Sequence, residues 1–555
     1  MPARPRQIRH GQDARKKILN GALTLARTVA TTYGPGGRTV LIQRFAGLLA
    51  TKDGLTVAQE VTLPDREENL GAQILKEACI QVNKEVGDGT TSTAILAGKL
   101  LREGHKMVVG GYHPQALVTG IRAAAETAIE AVRGFSRPVT TQEELRQVAL
   151  IACNGDEEIA QHLSEAVMAV GKDGTISIVD GIHTETVLEF KEGMEIPSGT
   201  DRVFRVTDKG DTEKVFEGAL VAIVQAPLVS VDDVLSMLEE STQWPDNPLI
   251  IIAPRIERAA RETLLLNSSL RADSRRVKEV CPILAPGMPQ QKRNLMGDIA
   301  TLTQATVVDP VAGMDHRAWN PEWFGTLRRA TVRAESSLFE AYPEVHEAVE
   351  MLLSLLRSEE KTLPDGFLRD QLRERMGKLS GGIAILRVGG VTEVARKERR
   401  ARIEDALGAV RTALRGGIVP GAGTAYHLAA LHLRLTPINA LPGDPGNGTG
   451  YMTGWHILGT ALMDLVPVLV RNCGGNGEGY THQLTLDLLD DIIEHEDSEN
   501  PPTPWLGWDP DSESTRNLQE PLVADPTEVV VSVIRAAVSV ATTLLTAETS
   551  VTFKG

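Results

Sequence analysis

The chain changes its hydrophobic pattern twice, and this change limits its fold more than any other feature of the sequence. About the first 130 residues carry Ala-rich segments of helical periodicity separated by Gly-rich loops. From about Ile176, short β-branched runs such as TISIVD and PLIIIA alternate with helical stretches. Helical patterns return after Glu335 and continue to Lys554, with one strand predicted at GGIAILRVGG. A helical start, an α/β middle and a helical end predict an inserted domain whose two flanks fold together.

Length and charge narrow the class of protein. A chain of 555 residues is too long for one hydrophobic core, so several domains are expected. The net charge of −15 predicts a surface that repels phosphate backbones, which argues against a nucleic-acid-binding protein. The four cysteines form no CxxC pair and the basic N-terminus lacks an apolar signal core, which favours the cytoplasm. The apolar stretch 529–545 contains Arg535 and is predicted to be a buried helix and not a membrane span.

Two Gly-rich segments are candidate phosphate-binding loops. The first, 31–38, reads TTYGPGGR and follows a helical segment; its alternative interpretation is a helix stop and a turn. The second, 87–92, reads GDGTTS and precedes an apolar helix, whose N-terminus would offer free N–H groups to a phosphate. Asp88 is a hard oxygen ligand suited to Mg²⁺. An ordinary N-cap explains the second segment equally well.

Three further acidic positions have a structural and a catalytic interpretation. Lys52 and Asp53 form a turn that is either a surface loop or a phosphate and water site. Asp405 points away from the apolar face of its predicted helix, as an ordinary solvated carboxylate would. Asp525 precedes the last long helix, where the default interpretation is an N-cap or turn residue. The twelve histidines show no metal-ligand spacing, and no Ser-His-Asp or Cys-His signature is present.

The order and separation of these motifs resemble those of a group I (GroEL-type, 60 kDa) chaperonin, of which this chain would be a divergent member. The resemblance spans residues 11–552. It rests on these segments: TTYGPGGRTV, TKDGLTVAQE, ENLGAQILKEA, GDGTTSTAILA, GKDGTISIVDG, KEGMEI, PLIIIA, GDIATLT, KLSGGIAILRVGGVTEV, KERRARIEDALGAVRTAL, GIVPGAG, RNCG and DPTEV.

The resemblance implies a multidomain α and α/β fold with three domains. A mostly helical equatorial domain (1–134 and 416–555) would bind ATP, an α/β intermediate domain (135–191 and 383–415) would act as hinge, and an α/β apical domain (192–382) would bind clients. Gly193 and Gly382 match the family's hinge glycines. The implied activity is Mg²⁺-dependent ATP hydrolysis that drives folding of non-native proteins inside a homo-oligomeric ring, seven-fold and single or double. K⁺ is a further candidate ion and a GroES-type co-chaperonin a further candidate partner.

The resemblance also assigns roles to individual residues. Asp405 would position the attacking water with help from Asp53, Asp88 would bind Mg²⁺, and Asp525 would contact the nucleotide late in the chain. The positions implied to contact the nucleotide are Thr32, Tyr33, Gly34, Pro35, Lys52, Asp88, Gly89, Thr90, Thr91, Ser92, Ala422, Gly423, Asp509 and Asp525. Those implied to contact clients are Leu235, Leu238, Leu265 and Leu266.

Several positions depart from the family pattern. Gly36 stands where the family has Lys, and Ala422 interrupts a run of three glycines. The late nucleotide loop is reduced to 507–509, and the C-terminus lacks a Gly-Met tail. Arg261 occupies a groove position that is normally apolar, and 196–206 replaces an aromatic segment. Because a charge reduces the apolar area of a binding groove, we expect the preference for client or co-chaperonin to differ from the family's.

Two other functions compete with the chaperone. One is a scaffold that keeps the fold with weak or no ATP turnover; the set Asp53, Asp88, Asp405 and Asp525 argues against it, because a scaffold needs no such carboxylates. The other is an unrelated ATPase or kinase, which the lack of a GxxxxGK[ST] motif disfavours.

Overall fold

A computed structural model gives the structure of this chain. It describes residues 6–44, 47–153, 155–171, 174–181, 184–191, 193–201, 204, 213–269, 279–363, 367–380, 383–437, 448–494, 504–509 and 512–553. The described chain forms two compact units, Met1–Glu165 with Gly390–Gly555, and Ala166–Gly389.

The helices are these, in chain order: α1 Gly11–Ala30, α2 Gly54–Glu60, α3 Arg66–Val86, α4 Thr90–Val109, α5 Pro114–Gly134, α6 Gln142–Ala152, α7 Glu157–Val170, α8 Asp232–Ser241, α9 Arg258–Ser269, α10 Pro289–Thr303, α11 His346–Thr362, α12 Phe367–Ser380, α13 Glu393–Gly416, α14 Thr424–Leu435, α15 Gly448–Leu462, α16 Leu465–Asn472, α17 Gly477–Glu494 and α18 Thr527–Thr546.

The strands are these: β1 Arg6–His10, β2 Val40–Arg44, β3 Gly47–Thr51, β4 Thr175–Asp180, β5 Val187–Lys191, β6 Gly193–Ile196, β7 Glu213–Val224, β8 Leu249–Ala253, β9 Val280–Leu284, β10 Val307–Val308, β11 Gly325–Arg333, β12 Ser337–Glu340, β13 Ile383–Val388, β14 Ile418–Pro420, β15 Leu506–Asp509, β16 Ser514–Asn517, β17 Ala524–Pro526 and β18 Thr549–Phe553.

Both ends of the chain build the first unit, as the sequence pattern predicts. One core of Ala, Val, Leu and Ile side chains is shared by α1, α3, α4, α5, α15 and α18. The helices approach closely where they carry glycine: a Cβ at Gly71 would lie 1.8 Å from the carbonyl oxygen of Ile18. Strands β1 and β18 pair antiparallel with Ile8 opposite Val551, which ties the N-terminal and C-terminal segments together.

The second unit is the α/β middle. Its seven-stranded sheet has the order β6-β12-β11-β7-β8-β9 with β10 beside β7, and β7, β8 and β9 run parallel. Alternate residues of these strands enter two cores on opposite faces of the sheet, one with α8 and α9 and the other with α10, α11 and α12. Burial on both faces explains why these strands read as continuous apolar runs. A separate sheet has the order β4-β13-β5.

Helical pattern alone misses the short strands. The hairpin β2–β3 lies in a region predicted to be mostly helical, and β14 to β18 lie in the helical C-terminal part. After Glu335 the chain first forms β12, and helix α11 begins only at His346. These strands are only 3 to 5 residues long, so their residues lack the long periodic stretches that indicate a strand.

Two helical stretches, Gly448–Asn472 and Thr527–Thr546, are long and apolar enough to cross a membrane. In each, 72% of the apolar window is buried inside the protein, which is typical of core helices. This burial confirms the prediction of a buried helix at 529–545.

The three-domain division stays a prediction. The boundaries between the two compact units follow Glu165 and Gly389, inside the segments assigned to the intermediate domain. Of the two expected hinge glycines, Gly193 begins β6, and Gly382 lies outside the described residues.

Candidate nucleotide site

Helix α4 begins with an N-terminus that no side chain caps. Gly89 occupies the N-cap position with φ of 95°, and within the described chain the Asp88 carboxylate accepts one hydrogen bond, from the N–H of Gly89 at 2.5 Å. The Thr90 hydroxyl is buried and finds no hydrogen-bond partner in the described chain. Free N–H groups and the positive end of the helix dipole favour an anion at this point. Gly89 is therefore the N-cap residue of α4, and the Asp88 carboxylate does not cap the helix.

Three separate motifs meet at Gly54. Asp53 caps α2 by accepting hydrogen bonds from the N–H groups of Leu55, at 3.2 Å, and Thr56, at 2.8 Å. A Cβ at Gly54 would lie 2.1 Å from Oγ1 of Thr91 and 3.3 Å from Oγ1 of Thr32. The absence of a side chain at Gly54 thus lets the 51–54 turn approach both Gly-rich segments. Lys52, between β3 and Asp53, is exposed.

Hydrogen bonds from Asn472 fix the position of the 31–38 loop. Asn472, at the end of α16, donates hydrogen bonds to the carbonyl oxygens of Ala30 and Tyr33, both at 2.9 Å. Gly34 and Pro35 are exposed at the loop tip. A Cβ at Gly36 would lie 2.6 Å from Sγ of Cys473, so packing explains why the lysine of the family pattern is missing here.

Helix α14 repeats the arrangement at the start of α4. Gly423 is the N-cap residue with φ of 81°, no side chain caps the helix, and the Thr424 hydroxyl is buried without a partner in the described chain. The side chains of Tyr426, in the first turn, and of Tyr33 both lie near Ser92 of α4. The uncapped first turns of α4 and α14 therefore approach each other at Ser92 and Tyr426.

Ala422 adopts a left-handed conformation, with φ of 53°. This conformation costs a non-glycine residue about 1–2 kcal/mol. We expect Ala422→Gly to raise the free energy of unfolding by about 0.5–1 kcal/mol, measured by denaturant titration, because relief of this strain exceeds the added chain entropy. Ala425→Gly, inside α14, is the control and should lower stability by about 1 kcal/mol. A loss of stability in Ala422→Gly would contradict this account.

Helix α13 brings Asp405 to the same place. Its Gly408 packs directly on Gly87: a Cβ on Gly87 would lie 2.7 Å from the Cα of Gly408, and Thr412 donates a hydrogen bond to the Val86 carbonyl at 3.3 Å. The Asn83 side chain lies near the Asp405 carboxylate and counteracts part of the rise in its pKa. The apolar neighbours of Asp405 on its helix are buried, as the periodicity predicts. Asp405 is therefore directed toward the α3–α4 loop and is not merely a solvated surface group.

Asp525 lies on β17 opposite Val419 of β14. The N-cap residue of α18 is Pro526 and has no side-chain capping bond, so the interpretation of Asp525 as a cap is wrong. Burial raises the pKa of Asp525 to about 7, and repulsion from Asp88 adds to this effect.

The other carboxylates are perturbed in the same direction. Burial, followed by repulsion from Asp53 and Asp88, raises the pKa of Asp405 to about 7. Water reaches the Asp88 side chain, yet the surrounding protein still raises its pKa, with repulsion from Asp53 adding to burial. Acids with raised pKa values stabilise the fold at low pH, and this stabilisation is lost as the pH rises from the unfolded value of 3.8 through about 7. The site thus holds more negative charge at neutral pH than its own side chains can balance, as a site for a cation would.

Asp509 is the last residue of strand β15. Its carboxylate accepts hydrogen bonds from the N–H and hydroxyl of Ser512, at 3.2 and 2.8 Å, and faces Arg516 at 3.5 Å. Gly507 of the same strand packs against Thr424, since a Cβ there would lie 2.9 Å from its hydroxyl oxygen. The strand therefore lies beside the start of α14, while the role of Asp509 toward a nucleotide stays a prediction.

Sequence reasoning missed Tyr426, Thr424, Asn83 and Gly408. Asn83, Thr424 and Tyr426 lie next to motifs that were noticed and Gly408 lies inside one, but none has a spacing or residue type that indicates a site. The packing of α13 on the C-terminal end of α3, through Gly408 and Gly87, brings Asp405 to this place.

The residues present fit Mg²⁺ and a nucleotide. The described part of the chain contains no group of three or more His, Cys, Asp or Glu side chains able to hold a metal alone. Mg²⁺ characteristically takes one or two carboxylates together with substrate phosphates, and Asp88 can supply that single ligand. The orphaned hydroxyl of Thr90 and the uncapped amides of α4 fit phosphate oxygens.

The predicted client-binding leucines lie in the second unit. Leu235 of α8 and Leu266 of α9 are 42% and 60% exposed, and Leu265 is partly buried. Leu238 is only 5% exposed and packs in the core against the sheet, so it is not presented on the surface.

Comparison with known proteins identifies the fold and the family. The model of the TCP-1/cpn60 chaperonin family matches residues 25–552. Two crystal forms of the chaperonin gp146 from the bacteriophage EL 2 (Pseudomonas aeruginosa), both in the presence of ATP-BeFx, match with TM-scores of 0.75 and 0.69. Each is 20% identical in sequence, and each match covers 99% of both chains. At this identity the structural likeness shows the fold alone.

Proposed function

Because the chain belongs to the TCP-1/cpn60 chaperonin family, we propose that it is an ATP-dependent molecular chaperone that binds non-native proteins and promotes their folding within a homo-oligomeric ring. The observation that carries this proposal is the convergence of two uncapped helix N-termini with four carboxylates, of which three have raised pKa values. The family's three-domain division, with the boundaries given above, is part of the proposal. So is a cytoplasmic location, which the four free cysteines support.

Each part of the site has a role in hydrolysis. When bound, ATP would supply the phosphoryl group together with the negative charge of its phosphates. Mg²⁺ would neutralise part of that charge, and the protein would neutralise the rest. The amides and hydroxyls of Thr90, Thr91 and Ser92 would bind phosphate oxygens, Lys52 would neutralise their charge, and Asp88 would be the Mg²⁺ ligand. Tyr33 and Tyr426 line the part of the site next to Ser92.

Asp405 acts on the attacking water. A carboxylate with a pKa of about 7 is a base matched to neutral pH, so it can accept the proton that water loses. Asp53 contributes negative charge beside it while capping α2, which keeps the carboxylate in a fixed position. Phosphoryl transfer to water needs this positioning and charge more than covalent chemistry.

A chaperone and a scaffold differ in turnover. The test is Mg²⁺-dependent ATP hydrolysis by the purified assembly, together with recovery of a chemically unfolded protein in the presence and absence of ATP. ATP turnover with ATP-dependent recovery is the expected result. Stable assemblies without turnover would instead support the scaffold. Addition of a GroES-type protein would show whether a co-chaperonin is used.

The β2–β3 hairpin supports homo-oligomer formation. One face packs on the core through Val40 and Ile42, whereas Leu41 and Leu48 on the other face are 73% and 82% exposed. An isolated two-stranded hairpin is marginally stable and offers unpaired edges. A second copy of the chain would cover these leucines; the seven-fold ring itself follows only from the resemblance.

We expect the double variant Leu41→Lys, Leu48→Lys to dissociate the assembly. Each lost leucine removes about 1.5–3 kcal/mol of apolar burial, which weakens association by at least about tenfold per substitution. Native mass spectrometry measures the result. Val109→Lys is the control, because Val109 is also exposed in this unit but lies at the end of α4. Assemblies of unchanged size and stability in the double variant would show that the hairpin is not an interface.

A further inference from the structure

The outer surface of α8 and α9 combines apolar side chains with an arginine. The inner sides of both helices pack on the same face of the sheet, through Val234, Met237, Ala260 and Leu264. Their outer sides therefore share one surface, to which Leu235 and Leu266 contribute exposed apolar area. Val231 and Val229, at the start of α8, are both 45% exposed and extend this apolar surface.

Arg261 adds a positive charge to this surface, and Asp201 of the same chain is its acidic partner. The guanidinium of Arg261 forms an ion pair with Asp201, and about half of each side chain remains open to solvent. The other arginines nearby are paired within their own segments, Arg258 with Glu262 and Arg255 with Glu257. Arg261 is thus the one of these three whose acidic partner comes from a distant segment.

The segment that carries Asp201 is held firmly. The Thr200 hydroxyl donates to the Pro282 carbonyl at 2.6 Å, and the Thr200 N–H donates to the Arg333 carbonyl at 3.0 Å. Gly199 lies so close to Arg333 that a Cβ would be 1.9 Å from its carbonyl oxygen. The backbone therefore presents the Asp201 carboxylate to Arg261 from a fixed position.

We propose that the α8–α9 surface binds protein segments in which an acidic side chain accompanies aliphatic ones, with Arg261 pairing the segment's carboxylate and Asp201 occupying Arg261 in the free protein. This inference rests on the proposed function, and it specifies the chemistry of the client or co-chaperonin segment. Leu235 and Leu266 bind the aliphatic side chains. The acidic side chain replaces Asp201, so the segment and Asp201 compete for one guanidinium.

The energetics allow this exchange. An ion pair between half-exposed side chains contributes about 0–1 kcal/mol, so displacing Asp201 costs little. The apolar side chains of a bound segment exclude water from the ion pair between its carboxylate and Arg261. The charge-assisted hydrogen bond of this pair is then stronger than the solvent-exposed one with Asp201. An uncharged aliphatic segment gains only the apolar contacts and leaves the Arg261–Asp201 pair in place.

The test uses two fluorescently labelled peptides that differ in one position, an aliphatic peptide with a central Glu and the same peptide with Gln. Fluorescence anisotropy with the assembled full-length protein measures both affinities. We expect the Glu peptide to bind about fivefold more tightly, and this preference to weaken at high salt. Arg261→Leu should abolish the preference, and Asp201→Asn should increase it because the internal competitor is gone.

Arg258→Leu is the matched control. It removes the same charge from the same helix but from a pair internal to α9, so the preference for Glu should remain. Equal affinities of the two peptides for the unmodified protein would overturn the inference, and so would a preference that survives in Arg261→Leu. ATP turnover is measured in the same samples. Turnover without a Glu preference disproves only this inference, whereas absence of turnover and of binding by either peptide disproves the proposed function as well.

Discussion

Asp405→Asn is expected to slow ATP turnover by about 100-fold or more while nucleotide still binds, because the amide keeps the shape of the side chain but cannot accept a proton from water. Nucleotide affinity should stay equal or improve. The substitution removes one of the negative charges that repel each other around the phosphate site, and the amide oxygen keeps a polar neighbour in Asn83. Steady-state hydrolysis and calorimetric nucleotide titration measure the two effects separately.

The pH dependence gives a second readout of the same group. Since burial and repulsion raise the pKa of Asp405 to about 7, the carboxylate is protonated below this pH and cannot act as a base. The value of kcat/KM for ATP should therefore fall as the pH decreases through about 7. The residual turnover of Asp405→Asn should not show this decrease.

Glu404→Gln is the control for Asp405. Glu404 is the adjacent carboxylate, but it is exposed and paired with Arg400 on the outside of α13. It should retain turnover within about twofold. Turnover of Asp405→Asn equal to that of the unmodified protein would mean that another group positions the water, and would favour a site used for binding alone.

Asp88→Asn is expected to have opposite effects on stability and on binding. Without nucleotide the variant should be more stable at neutral pH, since burial and repulsion from Asp53 disfavour the charged carboxylate. The amide oxygen can still accept the Gly89 N–H, so the loop geometry is preserved. With nucleotide, loss of the Mg²⁺ ligand should weaken Mg²⁺-dependent binding by about 100-fold.

Thermal unfolding measures both effects in one experiment. The unmodified protein should gain stability when ATP and Mg²⁺ are added together, whereas Asp88→Asn should begin more stable and gain little. Glu85→Gln is the control, because Glu85 is exposed on α3 and accepts a hydrogen bond from the side-chain amide of Gln81. An undiminished Mg²⁺-dependent shift in Asp88→Asn would assign the metal to another carboxylate, with Asp53 and Asp525 the next to test.

Parts of the candidate site were predictable because they are local in sequence. Thr90, Thr91 and Ser92 follow a glycine at the start of an apolar helix, and any chain with this pattern offers amides at that point. Their alternative interpretation, an ordinary N-cap, could not be decided from sequence, since a carboxylate before a helix can either cap it or leave its amides free. The same ambiguity applied to Asp525, which lies one residue before the actual N-cap.

The sequence alone determined the alternation of helical and β-branched segments, the association of the two chain ends and the buried nature of α18. These properties depend on hydrophobic periodicity, which is repeated over many residues. The tertiary structure decided where each carboxylate points. The contact of Gly87 with Gly408 places Asp405 beside the α3–α4 loop, and the first turn of α14 places Tyr426 near Ser92. Such contacts join residues more than 300 positions apart, where no local pattern operates, and the desolvation that moves the pKa values of Asp405 and Asp525 arises only when those segments pack together.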